Sequence, residues 1–149
     1  MNKSTRILVL LIVFIILSTW VYPLVQGLWA TLYIPITSSL PRTKLAGGAW
    51  LSAGAATGSV ICAFMLAWPL GYLTKERPLI VGGVLGLVGT GLNLYSFPNV
   101  IDQFNWFVGA ISIIEHLTFL VGCMLFAWWG SAIANRNNGQ PDAQTMIGR

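Results

Sequence analysis

Charge is distributed very unevenly along this sequence, and the distribution limits what the chain can fold into. No charged residue occurs in 7–41, 45–74 or 78–101, and 103–135 contains a single one, Glu115. Of the 149 residues only 8% are charged and 56% are hydrophobic, whereas a soluble domain carries about 25% charged residues. A helix needs about 20 apolar residues to cross a bilayer, and each stretch can supply one. The pattern predicts an all-α integral membrane protein. It excludes a soluble nucleotide-binding enzyme, a DNA-binding module and a disordered tail.

We expect a four-helix transmembrane bundle with short loops, which forms a single domain over residues 1–149. The predicted helices cover about 7–29, 46–72, 79–97 and 106–134, and 135–149 is predicted to be a polar cytoplasmic tail. The chain starts like a signal peptide, with a basic segment before an apolar one. The apolar residues continue to Val25 without a small-x-small cleavage site, so we expect this segment to be the first membrane helix.

The positions of Lys and Arg predict the orientation, because cytoplasmic flanks are richer in both. If the N-terminus is cytoplasmic, six of the eight lie inside: Lys3, Arg6, Lys75, Arg77, Arg136 and Arg149. Only Arg42 and Lys44 then lie outside. We therefore expect both termini to be cytoplasmic, in the inner (plasma) membrane of a bacterium. The net charge of +4 belongs to helix ends. It indicates contact with lipid headgroups rather than with nucleic acid.

Small residues recur at helix-packing spacing in two of the predicted helices. Gly54 and Gly58 form a GxxxG pair, and Gly82, Gly86 and Gly89 line one face of the third helix. Glycines at this spacing let two helix backbones approach closely, so that dispersion and weak Cα–H contacts hold the helices together. We interpret both sets as helix-packing surfaces, either within this chain or against another chain.

The one acidic residue deep in a predicted span is Glu115, and its neighbour His116 is the only histidine. An unpaired charge at such a depth is costly, so an intramembrane ionisable residue is a candidate functional residue. Adjacent side chains point about 100° apart on a helix and cannot share one narrow face. Glu115 is either a proton or cation site or a protonated or hydrogen-bonded carboxyl that fixes helix packing. For the second role the candidate partners are Asn93, Ser112 and Thr118.

Three functional hypotheses follow, and none of them includes catalysis or a metal site. The leading one is a non-catalytic small subunit of a larger membrane complex, because a small chain with glycine-lined faces and no soluble domain needs other surfaces to pack against. Its partners would be other membrane subunits or copies of itself, with a structural, anchoring or stabilising role. The first alternative is a small homo-oligomeric transporter or channel with a polar path at Glu115, His116 and Asn93. The second is a membrane anchor that binds haem or quinone through His116; no other cofactor is expected.

Overall fold

The computed structural model describes residues 2–36, 44–96 and 106–139 of the chain. Within these ranges it contains four α-helices and no strand. The helices are α1 (Lys3–Tyr33), α2 (Lys44–Thr74), α3 (Pro78–Ser96) and α4 (Trp106–Gly139). This confirms the prediction of an all-helical fold.

Three helical segments are long and apolar enough to cross a membrane: Lys3–Tyr33, Gly47–Thr74 and Gly109–Arg136. The apolar part of α3, Pro78–Leu92, is shorter. Helix α1 extends beyond both of its predicted ends and α4 beyond its C-terminal one, because residues 3–6, 30–33 and 135–138 contain no Gly or Pro that would break a helix. Residues 135–139 of the predicted tail are thus helical, and 140–149 lie outside the described residues.

The four helices surround the core in the order α1, α2, α4, α3, so that α1 and α4 are diagonally opposite. Hydrogen bonds show α1 antiparallel to α2, with the N-terminal end of α1 beside the C-terminal end of α2. The largest fully buried side chains of the core are Phe119, Leu66, Leu70 and Leu85. Cys62 and Cys123 are free thiols in the same core.

Glycines at the contacts with α4 let the helix backbones approach closely. Gly71 of α2 lies against the backbone of Ala127, and a Cβ there would overlap the Ala127 carbonyl group. Gly82 of α3 lies in the same way against the backbone of Cys123. A Cβ on Gly86 would lie 2.8 Å from Cδ1 of Leu120. Close approach of this kind maximises dispersion between helices, which is a main source of their association in a bilayer.

The GxxxG pair of α2 has a different environment, because side chains of α1 fill the space that it leaves. The ring of Tyr33 lies over Gly54, and the side chain of Gln26 lies over Gly58. Trp29 of α1 donates from Nε1 to the carbonyl oxygen of Gly54 at 3.0 Å. In α3, Gly89 likewise faces side chains, those of Ser18 and Phe119. These three glycines make room for aromatic and polar groups rather than for a second backbone.

Candidate functional site

Glu115 lies on α4, and both groups that donate hydrogen bonds to it come from α1. The Tyr22 hydroxyl donates to Oε1 at 2.5 Å, and Gln26 donates from Nε2 to the same oxygen at 3.1 Å. Tyr22 and Gln26 are one helical turn apart and therefore share a face of α1. Since α1 and α4 are diagonally opposite in the bundle, these two bonds cross its interior.

Ser59 of α2 completes the arrangement. Gln26 Nε2 donates to Ser59 Oγ at 3.0 Å, and Ser59 Oγ lies 3.3 Å from the Tyr22 hydroxyl. Ser59 is fully buried and Tyr22 is almost so. We call the four side chains of Tyr22, Gln26, Ser59 and Glu115 the polar cluster. It joins three helices at one level of the bundle.

Because Tyr22 donates to Glu115, counting hydrogens sets the direction of the other bonds in the polar cluster. A tyrosine hydroxyl has one hydrogen, and that of Tyr22 is donated to Glu115, so Ser59 must donate to Tyr22. The two amide hydrogens of Gln26 then serve Ser59 and Glu115, and the carbonyl oxygen of Ala55 at 3.3 Å is a weaker third acceptor. The cluster is thus a closed ring in which Ser59, Tyr22 and Gln26 use all their donor hydrogens. Glu115 takes part only as an acceptor, through Oε1.

His116 contacts the ring of Tyr22, whose hydroxyl bonds to Glu115. The two ring centroids are 6.1 Å apart with the planes 27° from parallel. The Nδ1 atom of His116 lies 2.7 Å from the carbonyl oxygen of Ser112 and 3.3 Å from its hydroxyl. Because a carbonyl oxygen can only accept, we assign the hydrogen to Nδ1, which leaves Nε2 with a lone pair when the ring is neutral.

The partners predicted for Glu115 do not bond to it where they are described. Ser112 contacts His116, and Thr118 donates to the carbonyl oxygen of Ile114 in its own helix at 2.7 Å. Short hydroxyl side chains in a helix commonly bond to the preceding turn, which leaves them unavailable to a neighbour. The side chain of Asn93 lies outside the described residues. The partners are instead Tyr22 and Gln26, which the sequence reasoning missed.

The arrangement can serve two kinds of chemistry. The closed ring of the polar cluster fixes the relative positions of α1, α2 and α4. The second oxygen of Glu115, Oε2, can also accept a proton or a cation. No family model, curated protein or solved structure matches the chain. Among the described residues no group of three or more His, Cys, Asp or Glu side chains could hold a metal ion. Haem iron at His116 would use the lone pair of Nε2, whereas a quinone carbonyl, which only accepts hydrogen bonds, would need a hydrogen on Nε2.

Proposed function

We propose that the chain is a non-catalytic small subunit of a larger membrane protein complex, with a structural, anchoring or stabilising role. The closed ring of the polar cluster carries this proposal. Its donors are all used within the chain, and Glu115 is held as a hydrogen-bond acceptor between helices. Such a ring rigidifies the contact of α1 with α2 and α4, since low local polarity strengthens each bond.

The exposed side chain of Trp20 supports a protein partner on the surface of α1. Trp20 lies near the middle of a helix that can span the membrane, and 76% of its surface is exposed. Tryptophan in membrane proteins is enriched at the two interfaces, where its N–H group finds an acceptor. At mid-helix, lipid offers no such acceptor. Another membrane subunit, or a second copy of this chain, would supply one and cover the indole ring.

The proposal includes α3 as a fourth span and a cytoplasmic location for both termini in a bacterial inner membrane. The 19 residues of α3 rise about 28 Å at 1.5 Å per residue, close to the thickness of the hydrocarbon core.

The Lys3 side chain contacts Glu76, which brings the N-terminal cations to the same end of the bundle as Lys75 and Arg77. The excess of Lys and Arg at this end supports its assignment to the cytoplasm.

Replacement of Glu115 tests whether the carboxyl is structural. In Glu115→Gln the amide oxygen accepts from Tyr22 and Gln26 as Oε1 does, so we expect unchanged folding and unchanged co-purification of partners. Glu115→Leu removes the acceptor that Tyr22 and Gln26 share and should weaken the fold by about 1–2 kcal/mol. The measurements are thermal stability in mild detergent and mass spectrometry of the proteins that co-elute from native membranes.

A second candidate function is a homo-oligomeric transporter or channel for protons or cations, with a path at Glu115, His116 and Asn93. It is favoured by one observation: no described residue donates to Oε2 of Glu115. Ion flux into vesicles that contain the purified protein is its measurement. A Glu115→Gln protein that folds and assembles but has lost a wild-type flux would replace our first proposal by this one. A visible spectrum of the same sample tests for haem bound through His116.

A further inference from the structure

A groove at one end of the bundle combines a cationic part and an apolar wall. It lies between the turn that joins α2 to α3, the first turn of α3 and the C-terminal part of α4, and its volume is about 570 Å³. Lys75 and Arg77 supply the cationic part. The apolar wall consists of Leu79, Ile80 and Trp128, all of which are exposed. We call it the turn groove.

The acidic residue of the same turn does not neutralise the turn groove. Glu76 accepts a hydrogen bond from Lys3 Nζ at 3.4 Å, on the side of α1, and none of the described residues that line the groove is acidic. In the part of the chain that the structure describes, the one ion pair joins Lys3 to Glu76, so neither Lys75 nor Arg77 is paired with a carboxylate. The groove therefore presents two positive charges without a counter-ion from its own lining.

The backbone of the turn is unusual for residues of this type. Lys75 has φ 59° and Arg77 has φ 47°, a region that residues with a Cβ rarely adopt and that glycine and asparagine adopt most readily. Backbone conformations of this kind persist where the surrounding structure holds them, and they cluster at binding sites. Here two long cationic side chains occupy positions at which a turn alone would favour glycine.

We propose that the turn groove binds one anionic phospholipid, with the phosphate at Lys75 and Arg77 and an acyl chain along Leu79, Ile80 and Trp128. Arginine binds phosphate through two parallel hydrogen bonds, and lysine does so as a point charge. The groove lies at the end of α2, where a spanning helix meets the headgroups and tryptophan is enriched. A free phosphate ion would use the cations alone, whereas a phospholipid also covers the apolar wall. The proposal does not depend on the function proposed above.

Lipid retention by the full-length protein tests the site. The protein is titrated in detergent with phosphatidylglycerol or with phosphatidylcholine of the same acyl chains, and bound lipid is measured by native mass spectrometry. We expect preferential retention of one phosphatidylglycerol. Lys75→Asn/Arg77→Asn removes both cations while asparagine tolerates the left-handed backbone. Because each cation near an anionic lipid contributes noticeably to its attraction, we expect retention to weaken on the order of tenfold.

The matched control is Arg42→Gln/Lys44→Gln, which removes two charges at positions 42 and 44, where the sequence enters α2. It should retain phosphatidylglycerol as the wild type does; equal losses in both double variants would mean attraction to net charge alone and would overturn the site. Trp128→Ala should weaken retention of phosphatidylglycerol but should not change the affinity of the groove for inorganic phosphate alone. If Trp128→Ala has no effect on retention of phosphatidylglycerol, the occupant is an ion and the proposal fails.

The single variants Lys75→Asn and Arg77→Asn decide the outcome if the double variant does not fold. Each is expected to lose part of the retention of phosphatidylglycerol.

Discussion

Tyr22 links two neighbours at once, because its hydroxyl donates to Glu115 and accepts from Ser59. Tyr22→Phe removes both bonds but keeps the ring, which packs edge-on against Phe119 with the centroids 4.9 Å apart. The amide of Gln26 still reaches both former neighbours. We therefore expect a loss of about 1–2 kcal/mol in the free energy of unfolding, measured by titrating folded protein in mixed micelles with a denaturing detergent.

The control for this change is Thr19→Val on the same helix. Thr19 donates from Oγ1 to the carbonyl oxygen of Ile16 at 2.7 Å, within its own helix, so its removal should change stability by less than about 0.5 kcal/mol. A double-mutant cycle with Tyr22→Phe and Glu115→Leu measures the direct coupling. Additive effects of the two changes would contradict the hydrogen bond between Tyr22 and Glu115.

For individual residues, the sequence indicated the Glu115 carboxyl but not its hydrogen-bond partners. Glu115 stood out because it is the one acidic residue inside a long apolar stretch. Its donors, Tyr22 and Gln26, are 93 and 89 positions away, and local spacing carries no information on such pairs. One signal was available: Gln26 is the only amide side chain of α1, and an amide within a membrane span requires partners because lipid supplies none.

The closest approach between elements depends on glycines that no stripe in the sequence marks. Gly71 is isolated near the end of α2, yet it lies against the backbone of Ala127. Spacing predicted packing surfaces at Gly82 and Gly86 because several glycines recur there on one face of α3. It could not single out Gly71, since the significance of that residue depends on which helix lies opposite.

Gly71→Ala tests this contact. Alanine is normally favoured over glycine inside a helix by up to about 1 kcal/mol. Here the added Cβ meets a carbonyl group of α4 that cannot rotate away, so the two helices must separate. We expect a net loss of about 1–3 kcal/mol, measured as the thermal midpoint in mild detergent and as folded yield.

Gly27→Ala is the matched control, because a Cβ at Gly27 would have no atom within 4 Å. Its stability should be unchanged or slightly higher. If both variants behave alike, the approach of α2 to α4 is looser than the structure shows.

For the whole molecule, the composition predicted the helices but not their arrangement. A helix that is apolar on all sides shows no periodicity to indicate its inner face, and α1 is of this kind from residue 7 to 17. The order α1, α2, α4, α3 therefore had no signature in the sequence. In the folded chain the polar cluster marks the inner face of α1 near Tyr22 and Gln26, opposite a surface that includes the exposed Trp20.

The start of α1 and the turn between α2 and α3, both cationic, lie at the same end of the bundle. Two engineered cysteines can therefore test the orientation of the whole molecule. Cys62 and Cys123 are fully buried, so the wild-type protein should not react with an impermeant thiol reagent and is the control. Ser39→Cys, between α1 and α2, should react in intact cells. Ser4→Cys, at the exposed start of α1, should react only after the membrane is permeabilised, because cytoplasmic flanks carry the excess of Lys and Arg.

The opposite labelling pattern would reverse the orientation and would also move the turn groove to the outer side of the membrane. The contact of Lys3 with Glu76 holds the N-terminal end of α1 beside the turn between α2 and α3, so Ser4 and the turn groove lie at the same end of the bundle. Labelling of Ser4→Cys in intact cells would place Lys75 and Arg77 outside. They would then face a leaflet without the negative surface potential that the cytoplasmic leaflet provides for basic residues. Labelling from the cytoplasmic side places the groove where anionic headgroups are available to it.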